Sequence, residues 1–501
     1  MHRPATQPDR RSFLGATCGL AASLVSGAAL ARVARAQAAA APGRTQQPLL
    51  LHMSAAPASV PILPGTATGV LRYSAQQLAG PSGCLFPMPG SHLGPLLRVV
   101  RGQRVVVDVH NQIGEDHVVH WHGLDVPADQ DGHPMYAFPH GGSYLYDFTV
   151  RNRAGTYWYH THVDMRTAIQ AYKGLAGVLV VSDAEERALP LPRGAQDVPL
   201  VLQDARFDAS NQLVYTPSMM DGFLGDTALV NGRKDFVLQA STRVYRLRLV
   251  NASVSRIYKL SWSDGTPMVA IGNDGGLLAA PLTLPFLTLA PGERAELWAD
   301  FSGKAVGSQI TLRSLAFSGA GGNQGGALDV LRVSITQSQP ETLTLPAALS
   351  AITLYQLKDA INANNPRTFP ISMQMMAGFT LNGAPFQMTA VAANEVVKRD
   401  TLELVRITNT SGMMQVAHPI HFHGRQFQVH ARSVTSAGQV GWQQLVPGCV
   451  DAGWKDTLLV MPGETVDLLL RYSKHTGLFL YHCHNLAHED DGMMRNLRLD
   501  P

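Results

Sequence analysis

One local pattern occurs three times in this chain, and it constrains the fold more than any other feature. "RVVVDVHNQ" ends near Asn111, "VYRLRLVNAS" contains Asn251 and "TLELVRITNTS" contains Asn409. Each is a run of alternating apolar and polar residues that stops at an asparagine, as expected of a strand with one face against a core. A second match supports the repeat: "GTYWYHTH" from Gly155 and "GLFLYHCH" from Gly477 both place a histidine five residues after the glycine, at His160 and His482. Repetition at domain-sized intervals means repeated sandwich units. The 501 residues exceed what one core organises, and 46 Gly and 31 Pro favour short strands and turns over long helices. The expected fold is all-β, with three β-sandwich domains at roughly 45–190, 195–340 and 345–501.

The repeats differ in their histidines. After Asn111 comes "HWHG" (His120 to Gly123), and after Asn409 comes "HPIHFHG" (His418 to Gly424). After Asn251 the matching stretch is "YKLSWSDG", with Leu260 and Trp262 where histidines would stand. The middle unit therefore reads as a scaffold. Ten of the 19 histidines fall in four short motifs: His120 and His122; His160 and His162; His418, His421 and His423; His482, His484 and His488. Residues i and i+2 of a strand project from one face, about 6.6 Å apart, so each H-x-H can aim two imidazoles at one metal cluster. A lone H-x-H is usually a polar strand face. Four pairs at matching positions of two related units point to metal binding, while the other nine, such as His52, His133 and His475, read as ordinary polar residues.

The donor chemistry narrows the metal. Structural zinc sites generally use C-x-x-C pairs, which the sequence lacks. Imidazoles with one thiolate and one thioether suit copper, and His418, Cys483, His488 and Met493 supply the donor set of a blue copper electron-transfer site. Strand alternation directs His482 and His484 to one side and Cys483 to the other. One strand would then touch two metal sites on opposite faces, a few bonds apart.

The N-terminus reads as an address rather than as structure. "DRRSFLG" (Asp9 to Gly15) carries twin arginines, an interrupted apolar run follows, and "ARA" (Ala34 to Ala36) offers a cleavage site. Residues 1–36 are expected to be a twin-arginine export signal and not a membrane span, giving a periplasmic or secreted protein. Beyond them, 35 basic and 36 acidic side chains leave a net charge near −1, which indicates no nucleic-acid partner. With Cys18 in the signal, Cys84, Cys449 and Cys483 remain, and an oxidising compartment would allow Cys84 to pair with Cys449.

With "HWHG", "HTH", "HPIHFHG" and "HCHNLAHEDDGM" on one chain, the sequence resembles the three-domain, laccase-type multicopper oxidases over nearly all of its length beyond the signal. The resemblance implies three cupredoxin-like Greek-key sandwiches and four copper ions. Type 1 copper would take His418, Cys483, His488 and axial Met493. Type 2 copper would take His120 and His421. The type 3 pair would take His122, His160 and His484 on one ion, and His162, His423 and His482 on the other. It further implies a monomer that oxidises a small reducing substrate in four one-electron steps and reduces dioxygen to two waters. Oxygen reduction consumes protons, so Asp131 and Glu489, at acidic positions that bacterial relatives share, are candidate proton carriers. A methionine axial ligand implies a low to moderate type 1 potential.

The substrate class is open between phenols or aromatic amines and cuprous ion. Cuprous oxidases carry methionine-rich inserts, and "SMQMMAGF" (Met373, Met375, Met376) with Met388, Met413 and Met414 is a faint version of one. Copper nitrite reductases use cupredoxin domains without the four H-x-H pairs. A non-enzymatic scaffold of the same fold would have lost its ligands, and here every one is present.

Overall fold

The computed structural model describes residues 46–374, 378–409 and 415–501. The expected export signal, residues 1–36, lies outside these residues, as do Met375, Met376, Met413 and Met414. The described strands form six sheets that follow one another along the chain as three pairs. The first pair lies between Leu49 and Ser182, the second between Asp197 and Gln337, the third between Arg367 and Asp500. Each pair encloses its own apolar core. Leu49, Val105, Leu97 and Leu179 meet in the first, Leu247, Leu297 and Val333 in the second, and Val405, Ile420, Phe422 and Leu468 in the third. This is the all-β, three-sandwich architecture expected from the repeat, and each sandwich is cupredoxin-like.

The repeat is visible in the pairing. In every sandwich the strand ending at the recurrent asparagine runs parallel to the first strand of its sheet: Leu49–Val60 beside Arg104–Asn111, Asp197–Ala205 beside Val244–Asn251, and Arg367–Gln374 beside Leu402–Asn409. Parallel neighbours require a crossover, which the chain makes by switching sheets. The asparagine does the same work each time. Its amide donates to two carbonyls, those of Glu115 and Phe138 for Asn111, Arg256 and Leu289 for Asn251, and Val416 and Val460 for Asn409. A buried side chain with two donors and an acceptor can tie the crossover loop to the sheet where an apolar residue would leave carbonyls unpaired.

The three described cysteines carry free thiols. Cys84 packs in the first core, and Cys449 lies beside the Leu445 carbonyl at the end of the helix Gln439–Leu445. The Cys84–Cys449 bond that the sequence left open is not made. No helix among the described residues is long and apolar enough to cross a membrane.

The first and third sandwiches lock together. His133 bonds Asn496 at 2.8 Å, and the Asp490 carboxylate accepts the backbone N–H groups of Thr167 and Ala168 at 2.9 and 3.0 Å. The four histidine motifs meet at this junction.

Candidate metal centre

Strand pairing explains how eight imidazoles converge. Val119–His122 pairs antiparallel with Gly155–Thr161 so that His120 faces His160, and His418–Phe422 pairs with Gly477–Cys483 so that His421 faces His482. Directly opposite residues of an antiparallel pair share a face. Each sandwich therefore presents a plate of imidazoles, and the two plates abut. His120 Nε2 is 3.3 Å from His421 Nε2, His162 Nε2 is 3.3 Å and His423 Nε2 3.0 Å from His482 Nε2, and His160 Nε2 is 3.4 Å from His122 Nδ1. The groups with ligand atoms mutually within 4.8 Å include His120 with His122 and His421, His122 with His160 and His484, and His162 with His423 and His482. All eight rings are fully buried.

The rings are held from behind. The carbonyl of Asp131 accepts from His120 Nδ1 at 2.5 Å, that of Asp456 from His421 at 2.8 Å, and that of Thr161 from His160 at 2.8 Å. The Asp131 carboxylate lies 2.9 Å from His423 Nδ1, and the Glu489 carboxylate lies 2.9 Å from His482 Nδ1 and 3.6 Å from His162 Nδ1. Asp131 and Glu489 thus sit at the edge of the cluster where the sequence reading put proton carriers. Such outer contacts fix ring orientation and leave the inward nitrogen as the free lone pair. Both nitrogens of His484 are buried without a hydrogen-bond partner, as is Nε2 of His418. Burial, and after it the neighbouring imidazoles, push His120, His122, His162, His418, His421, His423 and His484 well below the ordinary histidine range. Neutral imidazoles packed nitrogen to nitrogen fit a bound metal cluster, because a cation gives the converging lone pairs what no protein group supplies.

The second donor set lies on the opposite face of the same strand. Cys483 packs in the third core, its Sγ 3.4 Å from His418 Nδ1 and 3.8 Å from His488 Nδ1. In "HPIHFH" the three-residue step from His418 to His421 puts the two rings on opposite faces. His418 turns inward with Ile420, and His421 turns to the cluster. Met493 is fully buried in the same core, and its carbonyl accepts the Cys483 N–H at 3.0 Å. Burial pushes the Cys483 thiol far up, so the sulfur keeps its proton unless a metal displaces it.

Sequence reading missed the residues that brace the cluster. Asp456 sits 3.1 Å from His122 Nε2 and grips Arg294 with both oxygens, at 2.6 and 2.5 Å. Arg294, itself fully buried, also donates to the carbonyls of Thr156, Gly292 and Asp274. One guanidinium so joins all three sandwiches behind His122. A β-carbon on Gly123, whose φ is +86°, would lie 2.6 Å from Asp456 Oδ2 and 2.7 Å from Arg294 Nη2, which explains the glycine that closes "HWHG". Gly292, from the middle sandwich, passes so close that a β-carbon there would stand 2.8 Å from the His484 ring. The middle sandwich lacks histidine pairs but supplies part of the wall. The signal in sequence is slight: an aspartate in "WKDTLLV" and an arginine in "GERAELW", each at the start of an apolar strand.

The suppressed basicity predicts how the metal-free protein responds to acid. Burial lowers His117, His133 and His488 to about 4 and His160 to about 3, from 6.5. Below 6.5 the unfolded chain binds protons that the folded chain refuses, so stability is full above that pH and is lost as pH falls toward 4. Each such ring contributes up to about 1.4 kcal/mol per pH unit through the window. Urea midpoints of chelator-treated protein are expected to drop steeply between pH 6.5 and 5. Midpoints independent of pH would contradict this.

Comparison with known proteins agrees with the geometry. A family model described as multicopper oxidase matches residues 75–186, and another of the same description matches residues 353–501. A laccase of Bacillus subtilis (strain 168) is 29% identical over 471 residues, covering 83% of this chain and 89% of its own. The cell division protein FtsP of Xenorhabdus nematophila is 32% identical over 424 residues, covering 82% and 84%. The McoA multicopper oxidase from the hyperthermophile Aquifex aeolicus superimposes with a TM-score of 0.77 at 31% identity, covering 91% of this chain and 100% of that one. On these likenesses, and with a donor set suited to copper, the chain belongs to the multicopper oxidase family and is an oxidase.

Proposed function

We propose that this oxidase is laccase-like, taking electrons one at a time from phenolic or aromatic-amine substrates and passing four of them to dioxygen to give two waters. His418, Cys483, His488 and Met493 would hold type 1 copper. His120 and His421 would hold type 2 copper. His122, His160 and His484 would hold one type 3 ion, and His162, His423 and His482 the other. Copper bound there supplies the one-electron redox chemistry and the oxygen reduction that side chains alone lack. The carrying observation is the "HCH" strand: Cys483 faces one donor set while His482 and His484 face the other.

The chain's own residues do the rest. His488 Nε2, held 3.2 Å from the Met220 carbonyl, marks the edge where substrate would approach. Glu489 and Asp131 contact the cluster's outer nitrogens and would hold protons destined for water, and burial pushes Asp131 well above the usual carboxylate range, toward its protonated form. The fully buried rings keep bulk water from the cluster. The three sandwiches are read as domains at 45–190, 195–340 and 345–501, with residues 1–36 directing export by the twin-arginine route.

A second reading, oxidation of cuprous ion, is favoured by thioethers near the same edge. Met219 is 50% exposed beside Met220, and Met373 packs against the third core. The test is oxygen uptake by the copper-loaded protein on a methoxyphenol, an aromatic amine and Cu(I) under one set of conditions. The laccase-like reading expects higher kcat/KM on the phenol and one dioxygen consumed per four electrons. Turnover confined to Cu(I) establishes the second reading, and absence of uptake with copper bound refutes both.

A further inference from the structure

A cavity of about 460 Å³ opens where the first and third sandwiches meet. Its walls include the chain that follows each H-x-H-G motif, Asp125 on one side and Gly424 with Arg425 on the other. Six cationic side chains line it against two carboxylates, and both carboxylates are engaged. Asp400 pairs with Arg471 at 3.2 Å, and Asp125 accepts the Ser473 hydroxyl at 2.7 Å. Arg153 is turned to Ser350 and to the carbonyls of Gly275 and Leu277. Arg101, Arg151, Lys474 and Arg425 remain outside the ion pairs of the described residues, with Asp125 and Asp131 near enough to Arg425 to offset part of its charge.

Arg425 is the unusual member. It is 4% exposed, its Nε donates to the His423 carbonyl at 3.0 Å, and neither terminal nitrogen has a hydrogen-bond partner. The guanidinium carbon lies 4.8 Å from the Phe479 ring and 5.7 Å from the Tyr472 ring, which fix the fork in place. A guanidinium stays charged in a protein, and leaving its donors unfilled away from water is costly. Arg151 and Lys474 stand exposed at the same cavity. A cleft whose cationic side chains outnumber its carboxylates six to two concentrates anions.

We propose that this cavity binds a doubly charged tetrahedral oxyanion, sulfate or phosphate, whose oxygens take the acceptor positions that Arg425 lacks while Arg151 and Lys474 close over it. Such an anion accepts forked N–H bonds from arginine and adds charge that a neutral occupant lacks. It would tie the loop behind His122 to the loop behind His423, joining the first and third sandwiches through a ligand. Binding to the folded protein alone raises its stability by mass action.

The test is titration of the copper-loaded protein with sodium sulfate at ionic strength held constant with sodium chloride, read by calorimetry and by the unfolding midpoint. Saturable binding of one sulfate per chain and a rising midpoint are expected, with phosphate competing for the same site. Arg151→Ala with Lys474→Ala removes only exposed side chains. It is expected to leave the sulfate-free midpoint and oxygen uptake unchanged while weakening sulfate about tenfold or more, the scale of losing charge-assisted bonds. Arg425→Met is expected to abolish saturable binding. The proposal is overturned if the double variant responds to sulfate as the parent does, if phosphate does not compete, or if stabilisation grows without saturating, as general salt exclusion produces.

Discussion

On the proposed four-copper reading, Cys483→Ser is expected to give a colourless protein that binds one copper fewer than the parent and turns over at least about 10³-fold more slowly, the scale of removing a group that works as part of a unit. The sulfur is the one soft anionic donor of its set, 3.4 Å from His418 Nδ1 in a fully buried pocket. A serine hydroxyl there is a hard donor that keeps its proton, so it replaces neither the affinity nor the intense thiolate-to-copper absorption. The cluster on the far face is left intact because His482 and His484 point away from the change and His482 keeps its contact with the Glu489 carboxylate. Metal analysis, visible absorption and oxygen uptake on one preparation check all three parts. Persistent blue colour would refute the assignment of Cys483, and loss of all copper would refute the independence of the two faces.

Arg294→Met is the second large effect. It leaves the Asp456 carboxylate buried with its charge uncompensated, and breaking a buried pair from one side costs about 3–5 kcal/mol. Asp456 is then driven to take a proton, and His122 loses the charged acceptor 3.1 Å behind it. Removing an outer-shell partner typically weakens metal affinity about 10–100-fold. Arg294→Lys is not a rescue, since a lysine cannot make the forked contact to both oxygens of Asp456. Denaturation midpoints and copper retention against a graded chelator separate the two effects. A destabilised variant that holds copper as tightly as the parent would make Arg294 a structural tie with no part in orienting the cluster.

Much of the site was legible because strands write their geometry into sequence with period two. H-x-H on a strand fixes that both rings share a face, and the three-residue step in "HPIHFH" fixes that His418 and His421 do not. The same rule separates Cys483 from its flanking histidines. The asparagines at 111, 251 and 409 were visible as punctuation, and the structure gives the reason, the same pair of amide-to-carbonyl bonds in each sandwich. Asp131 and Glu489 are legible as acids beside the histidine motifs, although nothing in their spacing states which ring each touches.

The residues that no sequence pattern marks share one property. Arg294 and Asp456 are 162 positions apart, and Arg151 of the first sandwich lines one cavity with Arg425 and Lys474 of the third. Contacts of that kind arise when finished units dock, and no local periodicity reports them. The sequence by itself determined the strands, the faces their side chains take and the donors available to a metal, because those follow from chain-local sterics and alternation. Tertiary structure alone decided which histidines meet, which arginine braces them and where unpaired positive charge collects, because these depend on how three separately formed cores pack together.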